Sequence, residues 1–161
     1  MNMPTAETNP QKQELVIIRT FTALRDLVWK SWTDPVMFAL WYGLPNSTLY
    51  NVVFDVRPGG SWHAIMRIPD APDMPWKGDF LEVVKPEKLV FALSDPENLD
   101  NPDREIVTVT FEQLDGKTRI IFRQTGNLPP EEYRDGLRKG WTTFFDRLEQ
   151  LFKSMKRESE L

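Results

Sequence analysis

The pattern of hydrophobic and polar positions changes period three times along the chain. Residues 14–20 (Glu-Leu-Val-Ile-Ile-Arg-Thr) are rich in β-branched side chains and predict a strand. From about Ala23 to Trp32 the apolar positions Leu24, Leu27, Val28 and Trp32 fall at helical spacing, with Thr22 placed to cap. Asp34 and Pro35 then start a second short helix carrying Met37, Phe38, Leu40 and Trp41, because Asp caps and Pro suits the first helical position. Gly43 and Pro45 end it.

Beyond this the period becomes two. Strands are predicted over residues 49–56, 61–68, 76–84, 89–94, 105–113 and 117–125. Arg57-Pro58-Gly59-Gly60, the Pro- and Asp-rich stretch 69–75, Lys85-Pro86-Glu87-Lys88 and the polar loop 95–103 separate them. Asp115-Gly116 joins the last pair and is a strong hairpin signal. A long helix follows from about 130 to 156. Its Tyr133, Leu137, Trp141, Phe144, Leu148 and Leu151 recur every three or four residues as an apolar stripe. Gly136 and Gly140 lie beside that stripe, and a helical glycine costs about 1 kcal/mol against alanine. They predict a face where the backbone approaches a neighbour closely, or where space is left open.

The order βααββββββα makes an α+β domain of about seven antiparallel strands, two short helices and one long C-terminal helix. A flat sheet this wide would leave apolar surface that one helix cannot cover, so the sheet is expected to curve around it. One domain over residues 14–156 is expected, with a loose tail at 1–13 and a short one at 157–161. A length of 161 residues suits that reading.

Composition narrows the function classes. Aromatics reach 12%, with 6 Trp and 10 Phe, which calls for a roomy core or a lined cavity. A net charge of -4 argues against a general nucleic-acid binder. The chain has no Cys and one His, so disulfides, thiol catalysis and iron–sulfur clusters are excluded and a structural zinc site is not expected. No cofactor signature appears: phosphate-binding loop, dinucleotide fingerprint and nucleophile elbow are all missing. No window is apolar enough to span a bilayer, and the N-terminus lacks the features of a signal peptide, so a cytoplasmic protein is expected.

Several motifs follow in order. They are Thr33-Asp34-Pro35, Trp41-Tyr42, Arg57-Pro58-Gly59-Gly60-Ser61-Trp62 and Met66-Arg67-Ile68-Pro69-Asp70. Gly78-Asp79-Phe80-Leu81-Glu82-Val83-Val84, Glu87-Lys88-Leu89-Val90-Phe91, Val107 to Glu112, Gly140-Trp141 and Asp146-Arg147-Leu148-Glu149 complete the series. The set resembles the family of homologues of the activator of heat-shock protein 90 ATPase, within the START-related, Bet v 1-like superfamily (SRPBCC). The resemblance spans about residues 14 to 153. It implies the helix-grip fold, with a deep pocket between sheet and C-terminal helix, and it implies much less about function. Many relatives carry a histidine three residues before the Gly-Trp of the last helix. This chain has Leu137 there, so chemistry relying on that histidine is absent.

The expected ligand-binding residues are Trp41, Tyr42, Trp62, Met66, Phe80, Phe91, Phe122, Trp141 and Phe144. Core packing accounts for more than half of such an aromatic set, and a cavity wall for the rest. Trp41 and Tyr42, at the end of the second helix, are expected at the rim. Glu82 shares the parity of Phe80 and is the candidate polar group of the pocket, where it would need a partner. His63 alternates with Trp62 and is expected to face outward. No catalytic residue is assigned. The leading reading is non-catalytic binding of a small hydrophobic molecule, such as a lipid or an aromatic metabolite. A cyclase- or dehydratase-like enzyme using pocket acids and a co-chaperone-like interaction domain are the alternatives. Trp29, beside the first helix's apolar stripe, leaves a homodimer open.

Overall fold

A computed structural model describes residues 14–94, 99–100, 104–126 and 128–159. The expected tail at 1–13, most of the loop 95–103 and the last two residues lie outside these. Strand β1 (Glu14–Phe21) leads into helices α1 (Arg25–Thr33) and α2 (Pro35–Trp41). Six strands follow: β2 (Thr48–Phe54), β3 (Ser61–Arg67), β4 (Met74–Val84), β5 (Lys88–Leu93), β6 (Glu105–Gln113) and β7 (Thr118–Thr125). A single 3-10 turn (Glu131–Tyr133) opens the long helix α3 (Arg134–Ser159). The seven strands form one curved antiparallel sheet in the order β1-β7-β6-β5-β4-β3-β2, which is the helix-grip architecture.

Local chemistry explains most boundaries. Asp34 accepts from the Met37 N–H at 3.3 Å and Pro35 begins α2, as the sequence predicts. Thr22 does not cap α1. The chain stays extended through Phe21, and the Thr118 hydroxyl binds the Ala23 carbonyl at 2.8 Å, so the helix starts at Arg25 behind an uncapped Leu24. Strand β4 starts two residues earlier than expected and takes in Pro75. Its first half pairs with β3 (Met74 to Asp79) and its second with β5 (Phe80 to Val84), so Pro75 sits where no neighbour needs its missing N–H. At the crossover, a Cβ on Gly78 would lie 1.7 Å from the Ala92 carbonyl oxygen and 2.6 Å from the Trp62 indole nitrogen. Only glycine admits that approach, and it lets Trp62 Nε1 donate to Ala92 O at 3.1 Å.

Helix α3 packs along the sheet's concave face. Its buried row is Trp141, Phe145, Leu148 and Phe152, spaced four, three and four. Phe145 replaces Phe144 at the centre of the expected stripe, and Tyr133, at its start, is 65% exposed. Phe21 meets Phe145 and Phe152 edge-on at 6.3 and 5.6 Å, and Phe122 meets Trp141 at 4.4 Å. Polar clamps fix the helix to the sheet edge: Arg19 Nη2 reaches Asp146 and Glu149 at 2.8 Å each, and Arg138 donates to Val16 O at 2.9 Å. A Cβ on Gly136 or Gly140 would meet nothing within 4 Å, so these glycines face open space and admit no close neighbour. Trp29 is buried and packs edge-on against Phe111 of β6 at 5.3 Å; it is no exposed contact surface.

Candidate functional site

The inward rows of β2 to β5 and the inner faces of α1 and α2 converge on a ring cluster. Trp32, Phe38, Tyr42, Phe54, Trp62, Phe80, Phe91 and Leu93 enclose a cavity that leaves about 10 Å³ for the centre of a water molecule. That is the threshold for holding one water. The pocket expected in the grip is therefore nearly filled by the protein's own rings. Phe38 stacks on Tyr42 at 4.6 Å and meets Phe54 and Trp41 edge-on at 5.0 and 5.3 Å. Phe54 meets Phe80 at 5.8 Å and Trp62 meets Phe91 at 6.0 Å, so one interlocked set makes wall and roof.

Of the residues expected from the sequence, Tyr42, Trp62, Phe80 and Phe91 line this cavity. Trp41 is fully buried rather than at a rim; its Nε1 donates to Ser31 O at 2.8 Å and its ring packs on Trp32 at 4.9 Å. Phe122 and Trp141 are buried against each other behind the lining, and Met66 is buried on β3 outside it. Phe144 is half-buried and packs against Tyr42 at 5.1 Å. Glu82 faces away from the cavity. A register shift between Phe80 and Glu82 breaks the alternation, so Val83 turns to the core while Glu82, with a side chain 47% exposed, pairs with Lys88 at 3.3 Å. Glu82 thus offers no acid to a cyclase-like reaction inside the grip. His63 is exposed on the outer face, opposite Lys77.

Trp32, Phe38, Phe54 and Leu93 are lining residues that the sequence reading did not select. Trp32 matters most. It is buried, and its indole Nε1–H has no acceptor among the described residues. A buried unpaired donor costs about 1–3 kcal/mol, and it marks a place where an acceptor would be welcome. The indole of Trp76, edge-on to Tyr42 at 6.3 Å, is unpaired in the same way.

A polar chain lies behind the lining rings. Trp141 Nε1 donates to Gln124 Oε1 at 2.8 Å, and Gln124 Nε2 donates to Glu105 Oε1. Gln124 is only 2% exposed. Burial raises the Tyr42 hydroxyl pKa well above its ordinary value, and the charge on Glu105 raises it further, so this hydroxyl stays protonated at neutral pH. Glu105 pairs with Leu93 across β5 and β6, and it is not among the residues that line the cavity. Both polar residues were legible by parity: Glu105 continues the inward row Val107, Val109, Phe111, and Gln124 the row Thr118, Ile120, Phe122.

The roof is held from α3. Arg147 Nη1 donates to the carbonyls of Gly43 and Leu44 at 2.7 and 3.1 Å, just past Tyr42. Gly43 has φ +122, a conformation other residues rarely adopt. Outside the roof, Val36 and Leu40 of α2 and Leu44 beyond it are exposed, Val36 by 70%. Among the described residues no helix is long and apolar enough to cross a membrane, and no group of His, Cys, Asp and Glu could hold a metal ion.

Residues 22–153 match the family described as Activator of Hsp90 ATPase homolog 1-like protein. No curated protein matches the chain. Solved structures share the fold. A protein from Nitrosomonas europaea is 24% identical, covering 91% of this chain and 97% of its own, with a TM-score of 0.78. One from Staphylococcus epidermidis is 20% identical, covering 89% and 91%, at 0.77. One from Chromobacterium violaceum is 21% identical, covering 86% and 96%, at 0.74.

Proposed function

The chain belongs to the Activator of Hsp90 ATPase homolog 1-like family, and from that premise we propose that it binds a small, mostly apolar molecule between the sheet and α3. The observation that carries this reading is the ring-lined cavity with a buried, unpaired Trp32 N–H at its wall. A wall of eight rings and aliphatic groups supplies the transfer energy of an apolar guest, about 25 cal/mol per Å² buried. An indole donor supplies one oriented hydrogen bond. The rings leave so little room that binding displaces Phe38 and Tyr42, which sit on α2 and at its end, next to the Gly43 turn. Native mass spectrometry of freshly purified protein against a denatured control tests it directly. An added mass that disappears on denaturation supports binding. A bare protein whose melting temperature no apolar or aromatic probe raises would rule it out.

One observation favours a second reading, an interaction domain. Helix α2 is apolar on both sides, with Phe38 and Trp41 inward and Val36 and Leu40 outward. The family's description names Hsp90 ATPase, so the test is that ATPase rate with and without this protein. An unchanged rate removes the co-chaperone version.

A further inference from the structure

We infer that Arg147 is the latch of the cavity's roof: its bonds to the turn after α2 hold Phe38 and Tyr42 over the other rings, and their release sets the rate at which a guest enters and leaves. The inference rests on the binding reading above and assigns an entry route and a positioning residue to that same site.

The argument starts from what can move. Five of the eight lining residues, Phe54, Trp62, Phe80, Phe91 and Leu93, stand on strands β2 to β5 and are held by the sheet's ladder. Trp32 on α1 is wedged from behind by Phe122, Trp141 and Phe145, at 6.4, 6.4 and 6.1 Å. That leaves Phe38 and Tyr42. They belong to a seven-residue helix with an extended residue at each end, Asp34 (φ -98, ψ 122) and Tyr42 (φ -78, ψ 129). Gly43 follows at φ +122, where a Cβ would lie 2.6 Å from Ser47 Oγ, so the turn needs glycine. A cavity of about 10 Å³ has no space for a guest until this roof lifts.

The roof has a fastening. Arg147 stands one helical turn beyond Phe144, whose ring meets Tyr42 at 5.1 Å, so α3 presents both residues to the end of α2. Arg147 Nη1 donates to Gly43 O at 2.7 Å and to Leu44 O at 3.1 Å. Among the described residues Arg147 makes no ion pair, and the adjacent Asp146 pairs with Arg19, so the guanidinium charge goes to two backbone carbonyls. Ser47 ties the turn to itself, donating from its amide and its hydroxyl to Leu44 O at 2.9 and 2.7 Å. The turn therefore moves as a unit, and Arg147 pins that unit to α3. Beside the pin, Leu40 of α2 faces Thr143, Gln150 and Leu151 of α3 across an open groove. The two helices part there, α2 has room on its outer side, and water can compete for the guanidinium.

The pin acts on backbone carbonyls, so it closes again behind a guest once the Phe38 and Tyr42 rings have turned aside. The open roof is then the common path in and out. Its population multiplies the entry and exit rates by the same factor and cancels in their ratio, which is the affinity.

Hydrogen exchange of the indole N–H groups, in the intact chain without ligand, reads the opening. The Trp32 N–H is buried under the roof with no acceptor, while the Trp62 N–H is bonded to Ala92 O on the sheet and serves as the control. Arg147→Met keeps the apolar stem and removes the donors. Trp32 exchange should rise about tenfold or more, the loss of one charge-assisted hydrogen bond, and Arg147→Lys, which keeps one donor, should fall between. Exchange at Trp62 and at the β6 amides should stay as it was. With naphthalene as probe, line shapes of the same resonances should show both rates raised by one factor, with Kd within about twofold of native. Unchanged Trp32 exchange overturns the latch while leaving the binding reading intact. So does equal acceleration at Trp62, which is general loosening, or a change confined to one of the two naphthalene rates. If naphthalene binds neither chain, the binding reading loses its support and the entry role falls with it, whatever Trp32 exchange shows. Should Arg147→Met not fold, Arg147→Lys against the native chain gives the same comparison.

Discussion

Truncating Phe38 to alanine asks whether the rings, rather than the backbone, close the grip. Phe38 is buried and contacts Tyr42, Phe54 and Trp41 at 4.6, 5.0 and 5.3 Å. Phe38→Ala removes a phenyl group from a site already bordering a cavity of about 10 Å³. The neighbouring rings are interlocked with the sheet and collapse only in part, so the loss includes both transfer and cavity costs. We expect about 4 kcal/mol from urea unfolding, within the range for buried Phe to Ala. The opened space is apolar and should accept benzene. At a free concentration ten times its Kd, benzene should restore about 1.4 kcal/mol to the variant. The native chain, whose cavity is too small for benzene without ring movement, should gain much less. A loss under about 1.5 kcal/mol, with no benzene-dependent recovery, would show that α2 rearranges freely over the sheet and that these rings do not define the site.

Other outcomes follow from the same geometry. Gly78→Ala drives a Cβ into the Ala92 carbonyl and against the Trp62 indole, so it should cost about 3 kcal/mol or more and lower Tm by several degrees; a Tm within a degree of the native chain would refute the close approach. Tyr42 has a native pKa raised above the unfolded value of 10.0, so it contributes stability that is fully present below that pH and lost as pH rises through the native value. In Tyr42→Phe the alkaline limb of stability against pH should be shallower by up to about 1.4 kcal/mol per pH unit, and an unchanged limb would place the hydroxyl in water. Glu82→Gln should change stability by no more than about 0.5 kcal/mol and leave probe binding untouched, because it breaks only an exposed pair with Lys88; altered binding would return Glu82 to the cavity.

Periodicity carried the fold. Strand and helix periods, the Asp34-Pro35 start and the Asp115-Gly116 hairpin set the element order, and burying the apolar stripe of α3 required a sheet curved around it. Parity also aims Glu105 and Gln124 inward, a signal present in two short strands. What sequence could not decide is set by packing between distant segments. One bulge beyond Phe80 reversed the parity of Glu82, and an irregularity of a single residue leaves no mark on a two-residue period. The helix period of 3.6 does not tell Phe144 from Phe145; Phe21 and Phe122 choose Phe145 by filling the space beside it. Trp29 looked exposed until β6 brought Phe111 against it. Trp41 and Tyr42 are neighbours in sequence, yet only Tyr42 lines the cavity. Sequence fixes which faces of each element are apolar, because that depends on local spacing. Which rings share one volume, and how much of it they leave empty, depends on side chains more than a hundred residues apart meeting at close-packed density, so only the tertiary structure decides it.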